Sequence, residues 1–151
     1  MKRPFRYLIQ PMPTGFSLME SLLVCSLLAA AICLGAVSFQ RLVPKYRLKN
    51  AAWEIQSRLA YARTRSAFDG TPIRLRFEAD GFSVERYDGG ANAWKSLEKS
   101  RLEGVTVRAN NTPTFYPQGT VSDLATILVF NAEGTYRITL AISGKVTVRR
   151  L

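Results

Sequence analysis

The stretch that decides the fold is GFSLMESLLVCSLLAAAICLGAVSF, residues 15–39, in which one carboxylate, Glu20, precedes a long apolar run. No charged residue occurs between positions 22 and 39. As a helix, these eighteen residues would span about 27 Å, close to the thickness of the hydrocarbon core of a bilayer. Because a carboxylate at the bilayer centre costs about 2.5 to 3.5 kcal/mol, Glu20 at the edge of such a segment needs a functional explanation.

Two other kinds of N-terminal segment fit this stretch less well. A secretory signal peptide has an apolar region of about 7 to 15 residues. This run is longer, begins beside Glu20 and is not closed by a small-x-small cleavage site. A lipoprotein signal needs a small residue before its cysteine, whereas Cys25 follows a valine and Cys33 follows an isoleucine.

The six residues from Gly15 to Glu20, after a short basic leader, resemble the type III signal of type IV prepilins and type II secretion pseudopilins. The resemblance implies that prepilin peptidase cuts between Gly15 and Phe16 on the cytoplasmic face, removes residues 1–15 and methylates the new amine of Phe16. It further implies that residues 16–43 form a transmembrane and assembly helix. The chain would cross the bacterial inner membrane once, with a cytoplasmic N-terminus and residues 44–151 in the periplasm. Basic residues flank the run on both sides, so charge alone does not orient it.

The same resemblance gives Glu20 a role in assembly. Cleavage creates a cationic amine at Phe16, and methylation keeps its charge. When subunits stack as a helical bundle, Glu20 of one subunit is expected to pair with the terminal amine of a neighbour, because an unpaired charge in low dielectric is costly. The pair would therefore specify axial register. The alternative is that Glu20 only complements the positive end of the helix dipole.

An amphipathic helix is predicted for residues 45–68, after Pro44, which is expected to kink the helical pattern. Apolar residues recur there at three- and four-residue steps and define one face. That face consists of Leu48, Ala52, Ile55, Leu59 and Ala62. The helix is expected to end near Asp69 and Gly70, since glycine readily adopts the left-handed conformation that follows many helices.

After Pro72 the apolar period changes to two, which predicts an antiparallel β domain. The predicted strands are IRLRFEA (73–79), FSVERY (82–87), GVTVRA (104–109), ATILVFNA (125–132), TYRITLAI (135–142) and KVTVRRL (145–151). Turns are predicted at positions 80–81, 133–134 and 143–144, which each pair a polar residue with glycine. Residues 88–103 are predicted to be a loop anchored by Trp94, and Gly119 is expected to take a positive φ after Pro117.

Three further passages narrow the resemblance. LAYARTRSAFDGTPIRLRF (59–77), the tryptophan after a glycine pair, and FYPQG (115–119) look like parts of the GspH/FimT group of minor pseudopilins and minor pilins. The implied fold class is α+β and pilin-like. A long N-terminal α-helix, transmembrane in its first half, would pack on a C-terminal antiparallel β domain.

The implied function is that of a minor pseudopilin of a type II secretion system, which assembles at the tip of the pseudopilus or during its initiation. The alternative is a minor type IV pilin that acts in pilus biogenesis or DNA uptake. The implied partners are other pseudopilins or pilins through the N-terminal helix, prepilin peptidase, the inner-membrane assembly platform and the lipid bilayer.

Enzymatic chemistry is not indicated by the residue types present. The 151 residues include no His, and both thiols lie in the apolar run, so the usual nucleophilic triads are absent. The carboxylates are scattered, and only Asp123 and Glu133 lie beyond residue 103, which argues against a calcium loop. We therefore expect no catalytic residue, no metal and no cofactor.

The basic C-terminal segment is the candidate nucleic-acid site. A net charge of +10 permits binding to nucleic acid or to anionic lipid headgroups and does not choose between them. The DNA-uptake branch of the resembled group holds DNA through a C-terminal Gly-Arg-x-Arg pattern, whereas this chain has GKVT at positions 144–147. Phosphate contacts need charge rather than a fixed fork, so other basic residues can substitute. The candidate DNA-binding residues are Arg137, Lys145, Arg149 and Arg150. The other interpretation is a solvated basic edge that prevents strand pairing.

Overall fold

The computed structural model describes Gly15 and residues 17–151, apart from the side chains of residues 35–41. The predicted leader before Gly15, and Phe16 with its predicted methylation, lie outside the described residues. The chain divides into two compact units, Met1–Phe39 and Gln40–Leu151. Each unit is described by itself below.

One α-helix, α1, runs from Leu18 to Asp69 and includes Pro44 within its length. It ends where the sequence predicts, because Gly70 follows with a φ of 64°. Close to this end of α1, Arg65 Nε lies 2.7 Å from Asp69 Oδ2. The hydrogen bond that Arg65 donates to Asp69, and then the charge of Asp69, raise the pKa of Arg65.

The second unit contains nine strands in two antiparallel sheets. The strands are β1 (Ile73–Glu78), β2 (Gly81–Asp88), β3 (Ala93–Arg101), β4 (Thr106–Ala109), β5 (Thr114–Phe115), β6 (Val121–Ser122), β7 (Thr126–Asn131), β8 (Gly134–Leu140) and β9 (Val146–Arg150). The first sheet has the order β3-β2-β1-β5-β6 and the second has the order β4-β7-β8-β9. The predicted pilin-like α+β class is therefore confirmed.

A single apolar core joins the second half of α1 to both sheets. All five residues predicted for the buried face of the helix are at most 1% exposed. They pack with alternating residues of the strands, because successive side chains of a strand point to opposite faces. The strand residues of this core include Ile73, Leu75, Phe82, Val84, Phe115, Ile127, Val129, Ile138 and Leu140.

Ser66 continues the buried face of the helix as a polar member. It is fully buried, and its Oγ lies 2.9 Å from the carbonyl oxygens of both Thr71 and Phe115. A buried hydroxyl with such partners avoids the penalty of an unsatisfied polar group. Ser66 thereby fixes the end of α1 to strand β5.

The predicted loop over residues 88–103 is wrong for most of its length, because residues 93–101 form β3. This strand pairs with β2 along an exposed edge of the sheet, with a bulge opposite Val84 and Glu85. Only Trp94, Glu98 and Ser100 are even partly buried, so no apolar alternation marks the strand in the sequence. Trp94 is anchored as expected, edge-on to Tyr87 and with the Arg74 guanidinium 4.1 Å from its ring centroid.

The predicted turns are confirmed. Hairpins connect β1 to β2, β7 to β8 and β8 to β9 at the expected positions. Gly119 has a φ of 83°, in a turn closed by a 2.9 Å hydrogen bond from its amide to the carbonyl of Tyr116. The short strands β5 and β6 on either side of this turn were not predicted, because a strand of two residues is too short to show an alternation of apolar and polar residues.

Candidate functional site

The start of α1 carries the motif residue Glu20 in a capping arrangement. Ser17 precedes the first helical residue, and its Oγ accepts a hydrogen bond of 3.2 Å from the backbone amide of Glu20. A serine followed three residues later by glutamate is a capping box, in which the glutamate can also reach back to the serine amide. Among the described residues the Glu20 carboxylate forms no hydrogen bond and no salt bridge, so it is available to a group outside this part of the chain.

The helix that follows is apolar, and its apolar side chains are exposed where the structure describes them. Every described side chain from position 17 to position 34 is exposed. The large apolar residues among them are Leu18, Met19, Leu22, Leu23, Val24, Leu27, Leu28, Ile32 and Leu34. A contiguous apolar surface of this kind marks a contact with another protein or with lipid.

No stretch of helix within the described residues is both long enough and apolar enough to cross a bilayer. The transmembrane assignment of residues 16–43 stays a prediction.

Two of the four candidate DNA-binding residues lie together on the outer face of the second sheet. Arg137 on β8 stands directly opposite Arg149 on β9. With Thr139 and Thr147 they line an open groove of about 270 Å³. Neither arginine forms a salt bridge with a described residue, so the groove presents two uncompensated positive charges and two hydroxyl groups. Such a surface can accept phosphate oxygens.

The other two candidates lie elsewhere. Lys145 follows the turn at Gly144, and its carbonyl pairs with the amide of Ala141. Arg150 lies on the opposite side of β9 from Arg149, where it shares a pocket with Lys45 and Lys49 of α1. The predicted quartet is therefore not one cluster. Strand alternation would have separated the two adjacent arginines, but only the packing of α1 brings the lysines to Arg150.

No group of three potential metal-ligating side chains occurs among the residues that the structure describes.

The fold defined by these elements is that of the minor subunits of pilus-like fibres. The minor pseudopilin EpsH of the type 2 secretion system of Vibrio cholerae is similar over 69% of this chain and 97% of its own, with 14% identity and a TM-score of 0.60. A second EpsH structure covers 71% of this chain and 94% of its own, with 15% identity and a TM-score of 0.58. The type IV minor pilin FimU of Pseudomonas aeruginosa covers 70% and 90%, with 19% identity and a TM-score of 0.57.

No protein-family model matches the chain, and no curated protein matches it. The comparisons confirm the pilin-like fold expected from the resemblance to minor pseudopilins and minor pilins. They include one protein from secretion and one from pili at nearly equal similarity, and so they do not separate these two systems.

Proposed function

We propose that this chain is a minor pilin-like subunit that prepilin peptidase processes and that then assembles into the pseudopilus of a type II secretion system. One observation carries the proposal: the β domain has the fold of minor pseudopilins. The resemblance of residues 15–20 to a prepilin signal, with Glu20 in the first turn of α1, supports it. The subunit acts by assembly with other pseudopilins and the membrane platform, and it performs no chemistry of its own.

The processing step is proposed to remove residues 1–15 and to methylate Phe16. The exposed apolar residues of the first half of α1 supply the surface that enters the inner membrane and, later, the fibre. The globular domain would then lie in the periplasm. In the bundle, Glu20 would pair with the methylated amine of a neighbour, which fixes the axial register of the two helices.

Intact-mass measurement on membrane extracts tests the processing step. In cells with prepilin peptidase we expect a mass that lacks residues 1–15 and carries one added methyl group. Gly15→Val is expected to block cleavage, because the peptidase requires a small residue at the cut. Gly90→Val, in an exposed turn with no side-chain contact closer than 3.4 Å, is the matched control and should be processed normally. An uncut protein, or a cut at any other bond, would contradict the proposal.

Genetic disruption in the native host separates secretion from pili. Loss of an extracellular enzyme activity with normal pili would support the pseudopilus. Loss of surface pili or of DNA uptake with normal secretion would assign the chain to the alternative, a minor type IV pilin.

The groove between Arg137 and Arg149 favours a second candidate function, which is DNA binding by a minor pilin. Duplex DNA should then bind the full chain at low salt and dissociate as salt rises, because phosphate contacts release counterions. Removing both arginines should make the negative slope of log affinity against log salt shallower by about two. Absence of binding at low salt would exclude this function.

A further inference from the structure

A small pocket in the second unit lies between α1 and the hairpin of β8 and β9. It has a volume of about 200 Å³. Its lining consists of Leu42, Lys45, Tyr46, Leu48, Lys49, Tyr136 and Arg150. Three of these side chains are basic and four are apolar or aromatic, so the pocket is amphipathic.

The basic side chains of the pocket have no acidic partners. Lys45, Lys49 and Arg150 form no salt bridge with any residue that the structure describes. The Arg150 Nη2 is oriented by a 3.3 Å hydrogen bond to the carbonyl of Glu133. In the same unit, Arg58 of the helix pairs with Glu98 at 2.6 Å. The pocket therefore concentrates three positive charges that no described carboxylate neutralises.

The apolar side of the pocket distinguishes its ligand from a free anion. Leu42 and Tyr46 remain 47% and 60% exposed, and Tyr136 packs against the core beside them. A soluble phosphate would gain nothing from this surface, whereas a lipid can place its phosphate at the cations and its first methylene groups along the apolar wall. Leu42 also lies three residues after Phe39, where the predicted membrane segment nears its end.

We propose that this pocket binds the headgroup of an anionic phospholipid in the outer leaflet of the inner membrane. The inference rests on the proposed function, since it requires the first half of α1 to be inserted in that membrane. Lipid binding would hold the globular domain at the bilayer surface before assembly, and extraction into the fibre would release it.

Native mass spectrometry of the full chain, released from nanodiscs that contain phosphatidylglycerol and phosphatidylcholine in equal amounts, tests the proposal. We expect one retained phosphatidylglycerol. Replacing Lys49 and Arg150 together with alanine should lower the apparent affinity for phosphatidylglycerol about twenty-fivefold, because each basic group near an anionic lipid contributes about fivefold. The matched control replaces Arg137 and Arg149, which removes the same charge from the outer face of the hairpin and should change the affinity less than about twofold.

Each contrary outcome has a defined meaning. Equal losses in the two double variants would show general surface attraction and overturn the proposal. Displacement of the lipid by soluble glycerol phosphate would identify a free-phosphate site, and displacement by duplex DNA would identify a nucleic-acid site; either result overturns it. Insertion without preference for the anionic lipid overturns this inference alone, whereas failure to enter nanodiscs of any composition also overturns the proposed function. Circular dichroism of both variants checks that they remain folded.

Discussion

The two halves of α1 are parts of one continuous helix, but the apolar side chains of the two halves differ in exposure. Between positions 17 and 34 every described side chain is exposed, including Leu27 at 62%. Between positions 48 and 66 one face is buried by the β-sheets, and Leu59 is fully covered. Apolar surface must leave water in either case. The second half of α1 buries its apolar face against the β-sheets, whereas the described apolar side chains of the first half are exposed.

Glu20→Gln is expected to have the largest effect, because it removes the charge while glutamine can still serve in the capping box. Breaking a buried ion pair costs about 3–5 kcal/mol, so incorporation into fibres should fall by about a hundredfold or more while cleavage continues. Immunoblots of sheared fibre fractions measure this. Ser17→Ala, which costs about 1 kcal/mol of capping, is the control and should still assemble. Normal assembly of Glu20→Gln would reduce Glu20 to a capping residue.

Leu59→Ala and Leu27→Ala make the same change in the two halves of the helix. The first should lower the free energy of unfolding by about 2–5 kcal/mol, because it leaves a cavity in the core. The second should change it by less than about 0.5 kcal/mol. Urea unfolding of the detergent-solubilised chain, followed by circular dichroism, measures both. Comparable destabilisation would show that the first half is also covered within the chain.

Ser66→Ala should destabilise the domain by about 1–2 kcal/mol, since it removes the one buried hydroxyl that can donate to the carbonyl of Thr71 or of Phe115. Ser57→Ala is the matched control, because Ser57 is exposed on the same helix. It should alter stability by less than about 0.5 kcal/mol. The same urea titration measures both variants. Equal changes in the free energy of unfolding would mean that Ser66 does not fix the end of α1.

Arg137→Thr should have the smallest effect and the opposite sign. Like charges directly opposite on neighbouring strands destabilise a sheet, so removing one should raise stability by about 0.2–1 kcal/mol. The gain should disappear in about 1 M salt, where the screening length is about 3 Å. Thermal unfolding at two salt concentrations measures it. A loss of stability at low salt would mean that the two arginines are compensated by contacts not apparent in the described residues.

Much of the domain could be predicted from the sequence because its signals are local. The alternation of apolar and polar residues from Ile73 to Phe77 indicated which side chains of β1 are buried. Gly70, Gly134 and Gly144, which have positive φ angles, indicated a helix end and two turns. Strand β3 escaped prediction for the converse reason. It is an exposed edge strand held by backbone hydrogen bonds to β2. Almost any residue type can form a backbone hydrogen bond, so the sequence does not indicate this pairing.

The candidate basic site shows the same limit. The sequence grouped Arg149 and Arg150 because they are neighbours in the chain, whereas the strand directs them to opposite faces. Arg149 lies with Arg137 in the outer groove, and Arg150 lies in a pocket with Lys45 and Lys49 of α1.

The sequence by itself determined the end of α1, its buried face and the hairpin turns, since each depends on residues fewer than about five positions apart. Only the tertiary structure decided that Ser66 meets Phe115, that β3 pairs with β2, and that two helix lysines share a pocket with Arg150. These contacts join residues far apart in the chain, and their geometry is set by packing of the whole core rather than by local pattern.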